Sequence, residues 1–243
     1  MMKPDILTGK NPASVADLLV SHFLMLAEKN RAAGKNFYVA VSGGSTPRLF
    51  FEQLGSIPQD DIPWKIIHIF WVDERCVAPE DKDSNYGMVK EVLFTKINIP
   101  EGNIHRIRGE EEPEAECIRY ADDLYRTVPQ SGGKTVFDLV ILGIGEDGHT
   151  ASIFPDQMAL LQSSRLCEMA RHPQTGQVRI TLTGLVINAA KHVYFVATGK
   201  SKSRILRSVL NENKRFYPAT HIAPASGKLS WFLDEDSSQG IRV

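Results

Sequence analysis

The sequence predicts an α/β protein built on a mainly parallel β-sheet with helices over both faces. Short apolar runs of strand length alternate with stretches of helical periodicity. Runs such as Ile66 to Val72 are almost continuously apolar, as strands buried on both sides should be. Glycine-rich turns follow two of these runs directly, at the sheet edge where such folds bind ligands.

Taken in order, Asn11-Pro12 reads as an N-cap followed by proline in the first helical turn. Val15, Leu18, Leu19, Phe23 and Leu26 then recur at helical spacing, and Gly34 supplies a stop. Phe37 to Val41 is a strand that runs into Ser42-Gly43-Gly44-Ser45-Thr46-Pro47, with a helix expected from the Thr46-Pro47 cap. Ile66 to Val72 is the next strand, Ser84 to Phe94 a helix, and Pro113 to Tyr125 another. Lys134, with Ser131, Gly132 and Gly133, makes a surface turn. Val136 to Leu142 is a strand with Asp138 near its start, leading into the turn Gly143 to His149. Val178 to Leu182 and His192 to Ala197 are further strands, and a helix covers about Ser201 to Leu210. No linker divides the chain, so residues 1–243 are expected to form a single domain.

Composition excludes several classes of function. With 42% hydrophobic residues the chain can bury a core without disulfides or metal staples. A formal net charge of -1 argues against nucleic acid or an anionic membrane as partner. The three cysteines, Cys76, Cys117 and Cys167, are widely spaced and odd in number, which fits a reducing compartment. The N-terminal residues lack the apolar core of a secretory signal, and no run is long enough to span a bilayer. A cytoplasmic protein is therefore expected.

Four stretches carry chemistry. In Gly43-Gly44-Ser45-Thr46, glycines admit a close ligand, a helix start offers free N–H groups, and two hydroxyls add donors, so the loop suits a phosphate. It lacks the Gly-Lys-Ser/Thr of a nucleotide-binding loop, and the plainer reading is a capped tight turn. Gly143-x-Gly145-x-x-Gly148 has the dinucleotide spacing, but Glu146 and Asp147 stand where a pyrophosphate needs donors. Those glycines instead aim His149 into a cleft, with Asp147 orienting the imidazole; the alternative is a helix cap with His149 as its neighbour. Arg75, at the end of Asp73-Glu74-Arg75, offers a guanidinium to a carbonyl or carboxylate oxygen, or else belongs to a surface ion-pair cluster. Lys200 and Lys202 follow Thr198-Gly199, and one of them could reach a phosphate. No nucleophile elbow, H-E-x-x-H or clustered metal ligands occur.

Together these segments resemble the glucosamine-6-phosphate isomerase/6-phosphogluconolactonase family, on its lactonase side. The resemblance runs through Ser42 to Pro47, Asp73-Glu74-Arg75, Asp83 to Tyr86, and Gly143 to Pro155. It continues through Arg179 to Leu182, Gly199 to Lys202 and Trp231 to Asp234. It implies a three-layer α/β/α sandwich with a mainly parallel, Rossmann-like sheet, shared with glucosamine-6-phosphate deaminases and ribose-5-phosphate isomerases. It also implies His149 as catalytic base, with Asp147 and Arg75 at the reacting end. Ser42, Gly43, Gly44, Ser45 and Thr46 would hold phosphate with Lys202, the lysine of the family's G-x-x-K pattern, and Arg179 would lie near the site. Ala78-Pro79 stands where the family usually has two prolines.

The expected reaction is hydrolysis of 6-phospho-D-glucono-1,5-lactone to 6-phosphogluconate, in the oxidative pentose phosphate pathway. Water would be activated by His149 with no metal or organic cofactor, in a monomer or weak homodimer. Two alternatives remain at this level. Amino-sugar phosphate deaminases resemble the chain in the glycine loop and D-G-H, but usually carry D-E-Y and a later glutamate. Here Arg75 and Phe154 occupy those positions. A non-catalytic sugar-phosphate-binding regulator would be expected to have lost Asp147, His149 and Arg75, all of which are present.

Overall fold

The apolar runs form strands, and in the computed structural model seven strands lie parallel in one sheet. The structure describes residues 4–241 except the side chain of Ser45. The chain passes through β1 (Asp5–Gly9), α1 (Pro12–Ala32), β2 (Phe37–Val41), α2 (Ser45–Leu54), β3 (Ile67–Trp71), β4 (Asp73–Arg75) and α3 (Asn85–Val89). Next come β5 (Ile104–His105), α4 (Pro113–Thr127), the hairpin β6 (Gln130–Ser131) and β7 (Lys134–Thr135), and β8 (Leu139–Leu142). The last part comprises β9 (Cys167–Arg171), β10 (Val178–Leu182), α5 (Gly184–Ile187), β11 (His192–Ala197), α6 (Ser203–Leu210) and β12 (Lys228–Asp234).

The main sheet has the order β1-β12-β11-β8-β2-β3-β5. Every residue of β8 is buried, which requires cover on both faces and matches the expected sandwich. From β2 the chain builds outward through β3 to β5, whereas from β8 it builds the other way through β11 to β12. Crossover connections leaving β2 and β8 thus diverge, and a crevice opens at their carboxyl ends.

Local chemistry explains most element limits. Asn11 accepts a hydrogen bond from Ser14 N–H (3.0 Å) and its own N–H donates to Ser14 Oγ (2.9 Å), a reciprocal cap for α1. Val15, Leu19, Phe23 and Leu26 of α1 are buried, while Leu18 is half-buried. Other limits move. α2 begins at Ser45 rather than after a Thr46 cap, because Gly44, at φ +112°, takes the cap position and leaves no side-chain cap. Ser84 does cap a helix, but α3 gives way to a π-turn over Lys90–Phe94. β8 starts at Leu139 because Asp138 is spent on edge contacts, accepting from Tyr38 N–H (2.9 Å) and pairing with Lys191 Nζ (2.6 Å). The first turn of the 201–210 helix is a 3-10 turn, Lys200–Lys202.

β10 departs furthest from expectation. It leaves the parallel sheet and joins β4 and β9 in a three-stranded antiparallel sheet beside the crevice. α4 ties this region to the main sheet, since the buried Tyr120 hydroxyl accepts from Trp71 N–H (2.9 Å) and donates to Trp71 O (2.8 Å).

At the far edge, His68 stacks on Tyr38, and its Nδ1 lies 3.1 Å from His105 Nε2, whose other ring nitrogen meets Asp123. Burial, then the neighbouring His105, pulls His68 down to about 4, with Asp123 opposing. The unfolded chain therefore binds the His68 proton more readily, so stability falls as pH drops from about 6.5 toward 4. His68→Gln should flatten that loss in denaturant titrations at pH 7, 5.5 and 4.5. An unchanged slope would contradict the assignment.

Candidate active site

The crevice at the carboxyl ends of β2, β8 and β11 is a cavity of about 240 Å³. Its lining brings together Ser42, Gly43, Gly44, Thr46, Arg75, His149, Arg179 and Lys202. Of the other expected site residues, Asp147 lies behind His149 outside the lining, and the side chain of Ser45 lies outside the described residues.

His149 reaches the cavity from a turn rather than a helix. Gly148 N–H donates to Gly145 O (3.0 Å) and Gly145 N–H to His149 O (2.9 Å), closing the turn after β8. The Thr150 hydroxyl donates to Gly143 O (2.9 Å) and fixes its base. Asp147 Oδ1 stands 2.6 Å from His149 Nδ1 and also accepts from His149 N–H at 3.2 Å. Burial raises the Asp147 carboxyl, but the hydrogen bond and charge of His149 outweigh it and hold the group below its usual range. An ionised Asp147 keeps the proton on Nδ1, and no described residue bonds Nε2. That tautomer leaves the Nε2 lone pair for a proton acceptor's task.

Arg75 and Arg179 form the opposite wall. They are direct cross-strand partners of β4 and β10, an arrangement that opposes like charges. Arg179 is only 9% exposed, and its Nε has no hydrogen-bond partner among the described residues. Its guanidinium lies 5.7 Å from the Phe154 ring centre, and that ring meets the His149 ring at 4.8 Å. Burial pushes Arg179 below its ordinary value, Asp73 counters this and Arg75 adds to it, yet a guanidinium stays charged at neutral pH. Arg75 donates to the Asp83 carbonyl, and its Nε is likewise unpartnered.

The third wall joins two loops. Gly43 lies so close to Asn85 that a Cβ there would overlap the Asn85 amide, and Gly44 needs its positive φ. With no side-chain cap, the first N–H groups of α2 remain open. Thr46 and Thr198 share a hydroxyl–hydroxyl hydrogen bond (3.0 Å) that couples this loop to the turn carrying Lys202. Ser42 behaves differently from the expected ligand donor, because its hydroxyl donates to Ile141 O (2.9 Å) and ties β2 to β8. No ion pair engages Arg75, Arg179 or Lys202 among the described residues. The cavity therefore sets one imidazole opposite three cations, none of them held in an ion pair.

Residues 10–231 match the model of the family described as glucosamine-6-phosphate isomerases/6-phosphogluconolactonase. The chain belongs to this family. It is 41% identical to the 6-phosphogluconolactonase of Haemophilus influenzae, over 90% of this chain and 92% of that one. The crystal structure of the Thermotoga maritima 6-phosphogluconolactonase superposes with a TM-score of 0.84 at 29% identity, covering 96% of this chain and all of that one (100%). A monomeric glucosamine-6-phosphate deaminase shares the fold, with a TM-score of 0.81 at 18% identity over 96% of this chain and 98% of its own.

Several residues at this cavity were not among the expected site residues, although Phe154 and Thr198 had been noted for their positions. Asn85 lines the cavity and donates to Asp73 O (2.8 Å), and Asp73, also in the lining, accepts from Ser152 Oγ (2.7 Å). Thr198 meets Thr46, and Phe154, noted in the sequence only as the residue at the deaminase glutamate position, meets Arg179, contacts to distant segments that no local pattern announces. Ala151, a lining residue with φ +49°, was detectable only as the small residue of DGHTAS.

Gly145 offers a direct test. A Cβ at this position would overlap both the His149 ring and the Asp147 carboxylate. Gly145→Ala should lower turnover by roughly 10²-fold or more, the usual worth of a positioned general base. Circular dichroism should stay native-like, and a variant with undiminished kcat would mean that the dyad is not the base.

Proposed function

We infer that the chain hydrolyses 6-phospho-D-glucono-1,5-lactone to 6-phosphogluconate, the lactone-opening step of the oxidative pentose phosphate pathway. The observation that carries this reading is a single cavity with the His149–Asp147 pair on one wall and Arg75, Arg179 and Lys202, none of them in an ion pair, on the others. Family membership and the activity named for the Haemophilus influenzae relative support the same substrate.

Water is a weak nucleophile until a proton leaves it. His149 Nε2 accepts that proton as the water oxygen bonds to C1, and Asp147 stabilises the imidazolium that forms. Charge then collects on the carbonyl oxygen, where Arg75 and Arg179 present donors already held in place. The C1–O5 bond breaks, O5 takes the proton back from His149, and the open-chain acid leaves, losing its carboxyl proton to solvent. Phosphate at the far end sits on the open N–H groups of α2 beside Lys202, which fixes the carbonyl near His149. Its binding contributes to orientation as well as affinity.

No helix among the described residues is long and apolar enough to cross a membrane. Three free thiols, two of them buried with sulfurs 4.0 Å apart, support placement in a reducing cytoplasm.

Freshly generated 6-phosphogluconolactone and glucosamine 6-phosphate, supplied in parallel, test the reading. Acid release from the first and no ammonia from the second is expected; the reverse would overturn it. His149→Ala should cut kcat by roughly 10²–10⁴-fold. Lys202→Ala should instead raise KM for the phosphorylated lactone by about tenfold, as loss of a charged hydrogen bond predicts. An unaltered substrate response in Lys202→Ala would remove phosphate from that end of the site.

A further inference from the structure

Asp234 ends β12 and is only 1% exposed, yet no cation pairs with it among the described residues. Its carboxylate instead faces backbone donors. Both oxygens lie 3.0 Å from Gly199 N, and Oδ1 also accepts from Ser237 N–H at 2.9 Å. Ser237 closes the clasp, since its hydroxyl accepts from Asp234 N–H (3.1 Å) and donates to Ala197 O (2.9 Å). A buried anion satisfied only by N–H groups is costly, and the β11–β12 ladder, which already pairs Ala197 with Leu233, does not require one.

What the carboxylate holds is the start of the turn that carries Lys202. Gly199 adopts φ +90°, and its carbonyl accepts from Lys202 N–H at 3.0 Å, so the position of residue 199 sets that of residue 202. One residue earlier, Thr198 bonds Thr46 on the glycine loop. Asp234 thus reaches both loops through the backbone without touching the cavity, whose lining omits it.

We propose that Asp234 is a positioning residue for the phosphate end of the site, its buried carboxylate fixing the Gly199–Lys202 turn against the glycine loop. This rests on the functional reading above and deepens it. The dependence on a phosphoryl group separates this role from an ordinary contribution to folding. A packing defect in β12 would impair every substrate alike, whereas a displaced Lys202 impairs only substrates bearing phosphate.

Asp234→Asn keeps the shape and removes the charge. Hydrolysis of 6-phospho-D-glucono-1,5-lactone and of unphosphorylated D-glucono-1,5-lactone is measured for the full chain, together with inhibition by inorganic phosphate. The expected result is a KM for the phosphorylated lactone raised by about tenfold, with phosphate inhibition weakened by a similar factor. The kcat/KM for the unphosphorylated lactone should change by less than about twofold, at the scale of remote effects. Ser237→Ala, which loosens the same clasp, should move the phosphorylated KM in the same direction by less. Equal losses on both lactones, or an unmoved phosphorylated KM, overturn the proposal. If Asp234→Asn does not fold, Ser237→Ala decides by the same two criteria. Failure of the unaltered protein to open the phosphorylated lactone would instead bring down the functional reading itself.

Discussion

Positive charge held outside any ion pair is the constraint around which the rest of the structure is arranged. Arg75 and Arg179 oppose each other across two strands, and Lys202 joins them at the same cavity. Such a cluster raises the energy of the empty fold, by repulsion and by burial of the Arg179 guanidinium. Asp73, and less strongly Asp83 and Glu74, temper it through space, but the acids that follow take their hydrogen bonds elsewhere. Glu74 accepts from the N–H groups of Arg75, Asn85 and Tyr86 and from the Ser84 hydroxyl. Asp73 accepts from Ser152, and Asp234 from Gly199 and Ser237. Each of these acids takes its hydrogen bonds from neutral donors, so on the proposed reading the cations keep their own donors for a substrate that brings its charge.

The His149–Asp147 pair occupies a wall built on the other logic. His149 and Asp147 form one tight pair against Gly145, whose missing side chain leaves the room that both groups occupy. Gly148, at φ +80°, gives up its Cβ space to Tyr217 and so anchors that turn to the segment before the last strand. Rigid strands beneath deliver both walls. The Ser42 hydroxyl on Ile141 O joins β2 and β8 where their outgoing connections part, keeping the crevice mouth fixed. A site whose two halves come from opposite sides of the divergence needs that tie to hold its spacing.

Much of this was legible because strand and loop follow local rules. Phe37–Val41, Val178–Leu182 and His192–Ala197 form strands with the limits their apolar runs suggest. The partner of a strand is not local, however, and β10 pairs outside the main sheet because β4 and β9 meet it at the cavity edge. β1 and β9 carry too many polar residues to stand out as apolar runs. The same division holds at the site. The glycine loop and His149 stand out by composition, whereas Asn85 and Asp234 matter for contacts made across long stretches of chain. Even the expected Thr46 cap gave way, because only the backbone angle of Gly44 decides where α2 begins.

Phe154 shows how specificity follows from what is absent from a contact. Its buried ring touches the His149 ring on one side and the Arg179 guanidinium on another, with the His172 ring at 5.3 Å. A carboxylate at that position would pair with Arg179 and cancel part of the charge that the cavity presents. It would also compete with Asp147 for the imidazole proton and so blur which nitrogen is free. An aromatic ring does neither. It supports Arg179 through its π face, a weak attraction that leaves the guanidinium N–H groups unspent. On the proposed reading, with the proton on Nδ1 and Arg179 outside any ion pair, the site would take one proton from water and stabilise one oxyanion, which is what opening a lactone requires.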